Sequence, residues 1–359
     1  MDALEQARAE IDEVDAQLAA LFERRMAAVL QVAEYKRAHG LPIFDAAREA
    51  AVLEKAAARI HAPALRPYYK DHVQNMMDVA KQYEALILGQ NRAAYQGVEG
   101  AFAHIALRAL FPHAEAVSCP TWDEVFAAVE RGDAAHGVVP FENSHAGDVS
   151  AVLDLCYNHP DLWVVDVYDL PISQNLLVLP GTQLAEIRSV YSHQQAIAQS
   201  ETFLKQFHLP ATAMLNTAMA AKMVAEKGDR HAAAISSHPC AALYGLTCLN
   251  DSIQDSDNNY TRFICITKDP VIYAGANRIS LIIAFDNRPG ALYEILSKLA
   301  ALDINMTKLE SCPVAGSDFE FVFFLELDAS VQDPSVLAML EEMERSCAEF
   351  QFLGNYAEV

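Results

Sequence analysis

Two groups of residues in this chain have types and spacings that can do chemistry. The first is a set of cations on an apolar helical stripe. Ile11, Val14, Leu18 and Leu21 recur at helical spacing, and continuing the stripe gives Arg25, Val29, Val32 and Lys36. From Arg25 to Lys36 is about three turns, so both cations point the same way. A buried cation is costly unless paired. Either the two snorkel or pair with acidic neighbours, or they line a pocket for a multiply charged anion. Arg8 is rotated roughly 100° from Arg25, so it reaches such a pocket only from a partner helix.

The second group lies at the ends of apolar strands. "DNNYTRF" (257–263) sets Thr261 and Arg262 at the mouth of the run Phe263-Ile264-Cys265-Ile266. "VVPFENSHAGDV" sets Glu142, Asn143 and Ser144 after another such run, and "YSHQQAIAQS" does the same with Ser192. Strand ends that open into polar loops are where α/β domains place their sites. Each fragment by itself is also an ordinary turn or helix cap, because Asn, Ser and Gly are turn formers.

Three kinds of segment must position these groups. Residues 1–91 lack strand alternation and read as helices, the first from near Ala3 to His39, where "GLP" breaks it. At about 1.5 Å per residue that helix is over 50 Å long. It needs two further helices, near 45–61 and 65–88, or a second protomer to cover its stripe. Residues 92–274 alternate strands ("HGVVPF", "WVVDVYDL", "QNLLVL", "SVYSH", "HAAAIS", "RFICIT") with helical patterns such as "TWDEVFAAVERGD" and "QQAIAQSETFLKQF". This is an α/β domain with a mainly parallel sheet, long enough for two lobes and a cleft. Residues 277–359 read β-α-β-β-α-β, the ferredoxin-like α+β order.

Composition narrows the class. The chain has 359 residues and a net charge of −22, which disfavours nucleic acid and anionic membranes as partners. The acidic excess is uneven, since residues 1–91 hold nearly as many cations as acids. No apolar run reaches the roughly 18 residues of a membrane span, and the N-terminus has no signal pattern. Seven scattered cysteines without a C-x-x-C pair indicate free thiols in a reducing cytoplasm rather than disulfides or zinc.

Longer motifs carry a resemblance to a known family. "LEQARAEIDEVDAQLAALFERRMAAVLQVAEYK" with "PIFDAAREAAVL" resembles the all-helical chorismate mutase domain. The resemblance implies that Arg8 (from across a dimer), Arg25 and Arg48 grip the two carboxylates of chorismate. It implies that Lys36 bonds the ether oxygen, and that Asp45 and Glu49 meet the hydroxyl side. The family's usual Ser and Gln or Glu fall on Ala80 and Glu84. A Claisen rearrangement needs no acid, base or nucleophile, only a dicarboxylate held in a reactive chair and charge stabilised at the breaking ether. Bidentate Arg suits the carboxylates and a Lys point charge the ether. A Glu at position 84 donates to that ether only when protonated, which favours lower pH.

Residues 94–268 resemble prephenate dehydratase through "GVEGAFAH", "VPFENSHAGDV", "YSHQQAIAQ", "NTAMAAKMV", "AAISSHPCAALYGLTCL" and "NNYTRFICI". By that resemblance Thr261 protonates the departing hydroxyl of prephenate, Arg262 holds a carboxylate and Phe263 packs against the ring. Glu142, Asn143, Ser144, Ser192, Gln199 and Thr217 match other cleft positions. A Thr hydroxyl is a weak acid, so Glu142 is the alternative source of the proton. The family's "GPEGTFS" has become "GVEGAFA", with Val98, Ala101 and Ala103 in place of Pro, Thr and Ser. The resemblance implies a two-lobed form like that of periplasmic binding proteins.

Residues 277–359 resemble the ACT regulatory domain through "DNRPGALYEIL" and "KLESCPV". That implies phenylalanine bound at a dimer interface by Pro289, Gly290, Ala291, Leu292, Asn305, Glu310 and Ser311, with Cys312 where the family has Arg. The resemblance implies a homodimer or larger homo-oligomer and no cofactor or metal.

Overall fold

A computed structural model describes residues 3–39, 46–87, 91–145, 147–256, 258–273, 275–285, 288–313 and 321–357. The chain divides into two compact units, Met1–Asn91 and Arg92–Val359.

The first unit is helical: α1 (Ala3–His39), α2 (Ala46–Arg59) and α3 (Arg66–Ile87). Pro63 opens a short turn before α3, where the proline's missing N–H costs nothing. Ala56, Val73 and Met77 form the buried centre, packed by Val52, Leu53, Tyr69 and Met76. The long first helix packs only through its second half, where Ala33 is fully buried. The stripe Ile11, Val14, Leu18 and Leu21 is 48–57% exposed in the single chain, and so is Val32 at 49%.

The second unit opens with two lobes. The first lobe's sheet contains β1 (Arg92–Gln96), β2 (Glu115–Cys119), β3 (His136–Asn143), β4 (Gly147–Asp148) and β5 (Trp163–Pro171), with helices α4 (Phe102–Leu110), α5 (Trp122–Arg131) and α6 (Ser150–Asn158). The chain then crosses to a second lobe. Its strands are β6 (Asn175–Val178), β7 (Ser189–His193), β8 (Ala211–Met214), β9 (Ala232–Ser236) and β10 (Thr247–Asn250). Its helices are α7 (Gln194–Ala198), α8 (Glu201–Gln206), α9 (Thr217–Lys227) and α10 (Pro239–Tyr244). Then β11 (Tyr260–Thr267) returns to the first sheet, giving the order β2-β1-β3-β11-β5.

That return corrects the expectation of a mainly parallel sheet. β1 pairs in parallel with β2 and β3, but β11 is antiparallel to both β3 and β5 because it enters from the other lobe. The expected helix "QQAIAQSETFLKQF" is two helices, broken at Ser200, which precedes the second without a side-chain capping bond. α5 ends as its sequence dictates: Thr121 accepts from the Glu124 N–H, and Gly132 closes the helix at φ 80°.

The remainder runs β12 (Arg278–Ala284), α11 (Ala291–Ala301), β13 (Met306–Pro313), β14 (Phe321–Asp328), α12 (Pro334–Ser346) and β15 (Glu349–Tyr356). Its antiparallel sheet has the order β13-β14-β12-β15. Ile279, Leu281, Leu325 and Leu327 face the two helices. Ile282, Val322, Phe324 and Tyr356 face the first lobe and join one core with Val139, Phe141, Ile264 and Ile266. Gly354 belongs to this contact, since a Cβ there would lie 1.9 Å from the Val164 carbonyl oxygen.

Candidate active sites

In the helical unit the expected residues come together in part. Lys36 Nζ lies 3.0 Å from Glu84, whose side chain is almost fully buried, so the carboxylate is a counter-ion that aims the lysine. Glu84 ends the buried stripe Val73, Met77, Ala80, a face legible from its helical spacing. Arg25 donates to the Met76 carbonyl at 3.2 Å. Glu49 is bound by Lys81 Nζ at 3.0 Å, and Asp78 holds the same lysine at 2.9 Å. Lys81 was missed by sequence reasoning; its signal is a place directly after Ala80 on the packed side of α3. Arg48 and Arg8 are exposed, Arg8 on the half of α1 that no other helix covers. Asp45 lies outside the described residues.

In the two-lobed part the strands sort the expected residues onto two faces. Along β11, Thr261 and Phe263 share one face and Arg262 points to the other. Thr261 pairs with Asn143 and Arg262 with Glu142, but the next pair is Phe263 with Pro140. Phe141 is therefore an extra residue, a bulge in β3. Strict alternation would put Glu142 on the face of Val138 and Pro140. The bulge turns Glu142 to the opposite face and brings Asn143 in beside Thr261.

Asn143 is the hub of the first face. Its Nδ2 donates to Thr261 Oγ1 at 3.0 Å, to the Tyr260 carbonyl at 3.0 Å and to Asn259 Oδ1 at 3.1 Å. Its Oδ1 accepts from Gln195 Nε2 and from the His145 N–H, both at 3.1 Å. Asn259 in turn donates to Gln199 Oε1 at 3.0 Å, which also accepts from Gln174 at 3.2 Å. A cavity of about 320 Å³ opens against this network, lined in part by His145, Gln195, Gln199, Asp255 and Asn259. The network is made of amides and one hydroxyl. It joins both lobes, because Gln195 and Gln199 belong to the α7 region of the second.

Other expected cleft residues have different duties. Ser192 is fully buried and donates to the Ile235 carbonyl at 2.6 Å, a bond internal to the second lobe. The neighbouring His193, rather than Ser192, caps α7 by accepting from the Gln195 N–H. Ser144 ties the loop to β11, donating to the Asn258 carbonyl and accepting from the Tyr260 N–H. Thr217 is the buried first residue of α9. Phe263 is 2% exposed and lies in a core with Tyr95, Leu107 and Val138, so it supports Thr261 from within the sheet rather than offering a ring to a ligand.

Arg262 and Glu142 depart from expectation. Arg262 makes a bidentate pair with Asp169 at 2.9 and 3.0 Å and lies 3.6 Å from Glu326 of β14. Glu142 lies 2.9 Å from Lys308 Nζ of β13. Both face the C-terminal sheet, so neither reaches a substrate carboxylate or hydroxyl on the Thr261 side. Asn259, Gln195 and Gln174 are network members that sequence reasoning missed. Asn259 sat in the quoted "DNNYTRF", read there only as a turn.

The expected effector residues gather at two places. Pro289, Gly290, Ala291 and Leu292 lead into α11, with Gly290 at φ 88°. Asn305 precedes β13 and donates to Asp328 at 2.9 Å. Glu310 and Ser311 alternate along β13, Ser311 exposed and Cys312 buried in the core shared with the first lobe.

Comparison with known proteins accounts for both units. Residues 7–85 match the chorismate mutase type II family and residues 93–271 the prephenate dehydratase family. A bifunctional chorismate mutase/prephenate dehydratase of Aquifex aeolicus is 30% identical over 99% of this chain and 98% of its own. An Arabidopsis thaliana arogenate dehydratase/prephenate dehydratase is 35% identical over 74% of this chain and 72% of its own. The crystal structure of an Arthrobacter aurescens prephenate dehydratase in complex with L-Phe superposes with a TM-score of 0.69 at 27% identity, covering 74% of this chain and 90% of that one. With both catalytic units matched in one chain, end to end, the protein belongs to the bifunctional chorismate mutase/prephenate dehydratase family.

Proposed function

We propose that the helical unit rearranges chorismate to prephenate and that the two-lobed cleft converts prephenate to phenylpyruvate. In the first reaction Lys36, aimed by Glu84, meets the charge that builds on the ether oxygen. Arg25, Arg48 and a partner chain's Arg8 take the carboxylates. The exposed stripe of α1 and the outward position of Arg8 support a homodimer in which two such helices pack together.

In the second reaction the bond between the ring and its carboxylate breaks and CO₂ leaves. Its electron pair enters the ring, which expels the hydroxyl at the far carbon and becomes aromatic. A proton from Thr261 turns that hydroxyl into water. The observation that carries this reading is the Asn143 amide donating to Thr261 Oγ1 at 3.0 Å. With its oxygen occupied as an acceptor, the Thr hydroxyl directs its own proton outward, and the amide stabilises the negative charge that builds on Oγ1. The ion pair with Lys308 on the opposite face speaks against Glu142 as the proton source. The C-terminal β-α-β-β-α-β part serves as an ACT-type sensor of phenylalanine, with Pro289–Leu292, Asn305, Glu310 and Ser311 as its ligand set.

The test assays chorismate and prephenate on one preparation, with and without phenylalanine. Thr261→Ser should retain dehydration and Thr261→Val should lose it by about 10²-fold or more. Equal rates in the two variants would remove Thr261 as the acid. Turnover of prephenate alone would leave the helical unit a dimerisation device.

A further inference from the structure

The back of the catalytic strands carries a layer of charge that the reaction does not use. Glu142 on β3, Arg262 on β11 and Asp169 on β5 are lateral neighbours in register, a row reading minus, plus, minus. Above it, Lys308 on β13 and Glu326 on β14 are also in register. Lys308 pairs with Glu142 at 2.9 Å, and Glu326 meets Arg262 at 3.6 Å. Glu326 is 2% exposed, and its other oxygen accepts from Tyr356 OH at 2.9 Å, which also meets Ser280 Oγ at 2.6 Å. Lys308 stands over the rings of Phe141 and Phe324 as well, 5.3 and 5.9 Å from their centroids. Phe141 is the bulged residue that sets which way Glu142 and Asn143 point.

We infer that this two-row ion layer positions the dehydratase site from behind, with Arg262 and Glu326 as its central pair. Asn143 and Thr261 directly follow Glu142 and directly precede Arg262 in the chain. Fixing the back-facing side chains fixes the rotation of both strands, and so the Asn143–Thr261 contact on the front. An isolated buried carboxylate would be a poor stabiliser, because removing it from water costs more than a single pair returns. Burial indeed pushes the Glu326 carboxyl up, against the pull of Arg262, Tyr356, Lys308 and Arg278. Holding this carboxylate ionised therefore costs stability, as expected of a group kept for geometry.

The inference rests on the dehydratase reading of the cleft. If that reading fails, the unmodified protein does not turn over prephenate; if only this inference fails, it does and the variants match it. The experiment measures steady-state dehydration, mutase rate and melting temperature for full-length Glu326→Gln, Lys308→Met and Lys308→Arg. Glu326→Gln should lower dehydratase kcat at least tenfold, with KM within threefold, mutase rate unchanged and melting temperature equal or higher. Lys308→Met should lower kcat in the same way, and Lys308→Arg, which keeps the charge between Glu142 and Glu326, should retain most of it. Unchanged kcat in Glu326→Gln and Lys308→Met overturns the inference. So does a rise in KM alone, which would make the layer part of substrate binding. Should Glu326→Gln melt early, Lys308→Met and Lys308→Arg decide, and equal losses of kcat in those two overturn it.

Discussion

Replacing Asn143 by Ala removes the hub of the cleft network. Among the hydrogen bonds of the described residues the amide has these partners: three acceptors at 3.0–3.1 Å and two donors at 3.1 Å. Two protons shared among three acceptors make one of these bonds bifurcated. Each buried polar group left unpaired costs about 1–3 kcal/mol. The adjoining cavity lets water replace part of the loss, so the net fall in stability should be about 2–4 kcal/mol. The catalytic effect is separable. Loss of one preorganised donor to a developing negative charge typically lowers kcat by about 10²–10³-fold. We therefore expect phenylpyruvate formation at saturating prephenate to fall by that factor. Chorismate consumption by the same preparation should stay within twofold, because Lys36, Glu84 and Lys81 lie in a separate compact unit. A second arm uses Thr261→Val. If the amide acts through Oγ1, adding Asn143→Ala to Thr261→Val should cost little more than Thr261→Val alone, as expected for groups that work as a unit. Fully multiplicative losses, or a single Asn143→Ala variant within threefold of the parent, would refute the coupling between the amide and the hydroxyl.

Other expectations are sharper on stability than on rate. Burial depresses the His136 imidazole to about 4, Asp269 opposing weakly, while the unfolded chain keeps about 6.5. Above pH 6.5 both states are neutral and nothing is gained. Below it the unfolded state binds the extra proton, so stability falls toward pH 4 by about 3 kcal/mol in total. Denaturant midpoints between pH 7.5 and 4.5 should show this slope, and His136→Phe, which keeps the stack on Phe111, should flatten it. Gly354→Ala must displace the Val164 backbone; we expect it to lower stability by about 3 kcal/mol or more by thermal melting. In the helical unit, Lys36→Ala should lower mutase kcat/KM by about 10²–10³-fold and leave dehydration intact. Glu84→Gln removes the counter-ion that aims Lys36, so its mutase kcat/KM should fall while dehydration is unchanged; a mutase rate within about twofold of the parent's would count against Glu84 as the group that aims the lysine.

Periodicity made the helices and the longer strands legible. The full span of α1 followed from its apolar spacing and the "GLP" break, and β-α-β-β-α-β order followed from the alternation after residue 277. Four strands of four or five residues did not announce themselves. "RAAYQ", "EAVSC", "ATAM" and "TCLN" are short and rich in Ala, Ser or Cys, and become strands only because neighbours pair with them. At the cleft, type and place in the chain found Thr261, Asn143 and Gln199. Direction was lost at Glu142, because one bulged residue reverses the phase of everything after it, and a bulge leaves no mark in "VVPFENS". Arg262 was misread for a related reason. In a strand, the neighbour of Thr261 points away from it, however strongly its chemistry invites a role beside it.

The reversal makes chemical sense. Decarboxylation moves negative charge off the ring carboxylate and into the ring, so a cation bound to that carboxylate would hold the ground state more tightly than the transition state. The side chains that bond in the network around Thr261 are neutral amides: Asn143, Asn259, Gln195, Gln199 and Gln174. Amides orient a polar substrate without fixing a charge that must leave. Charge is instead required behind the strands, where a guanidinium fork and paired carboxylates hold direction more firmly than neutral contacts can. A bulge at Phe141 lets one short strand serve both needs, offering the amide of Asn143 to the cleft and the carboxylate of Glu142 to the sheet behind it.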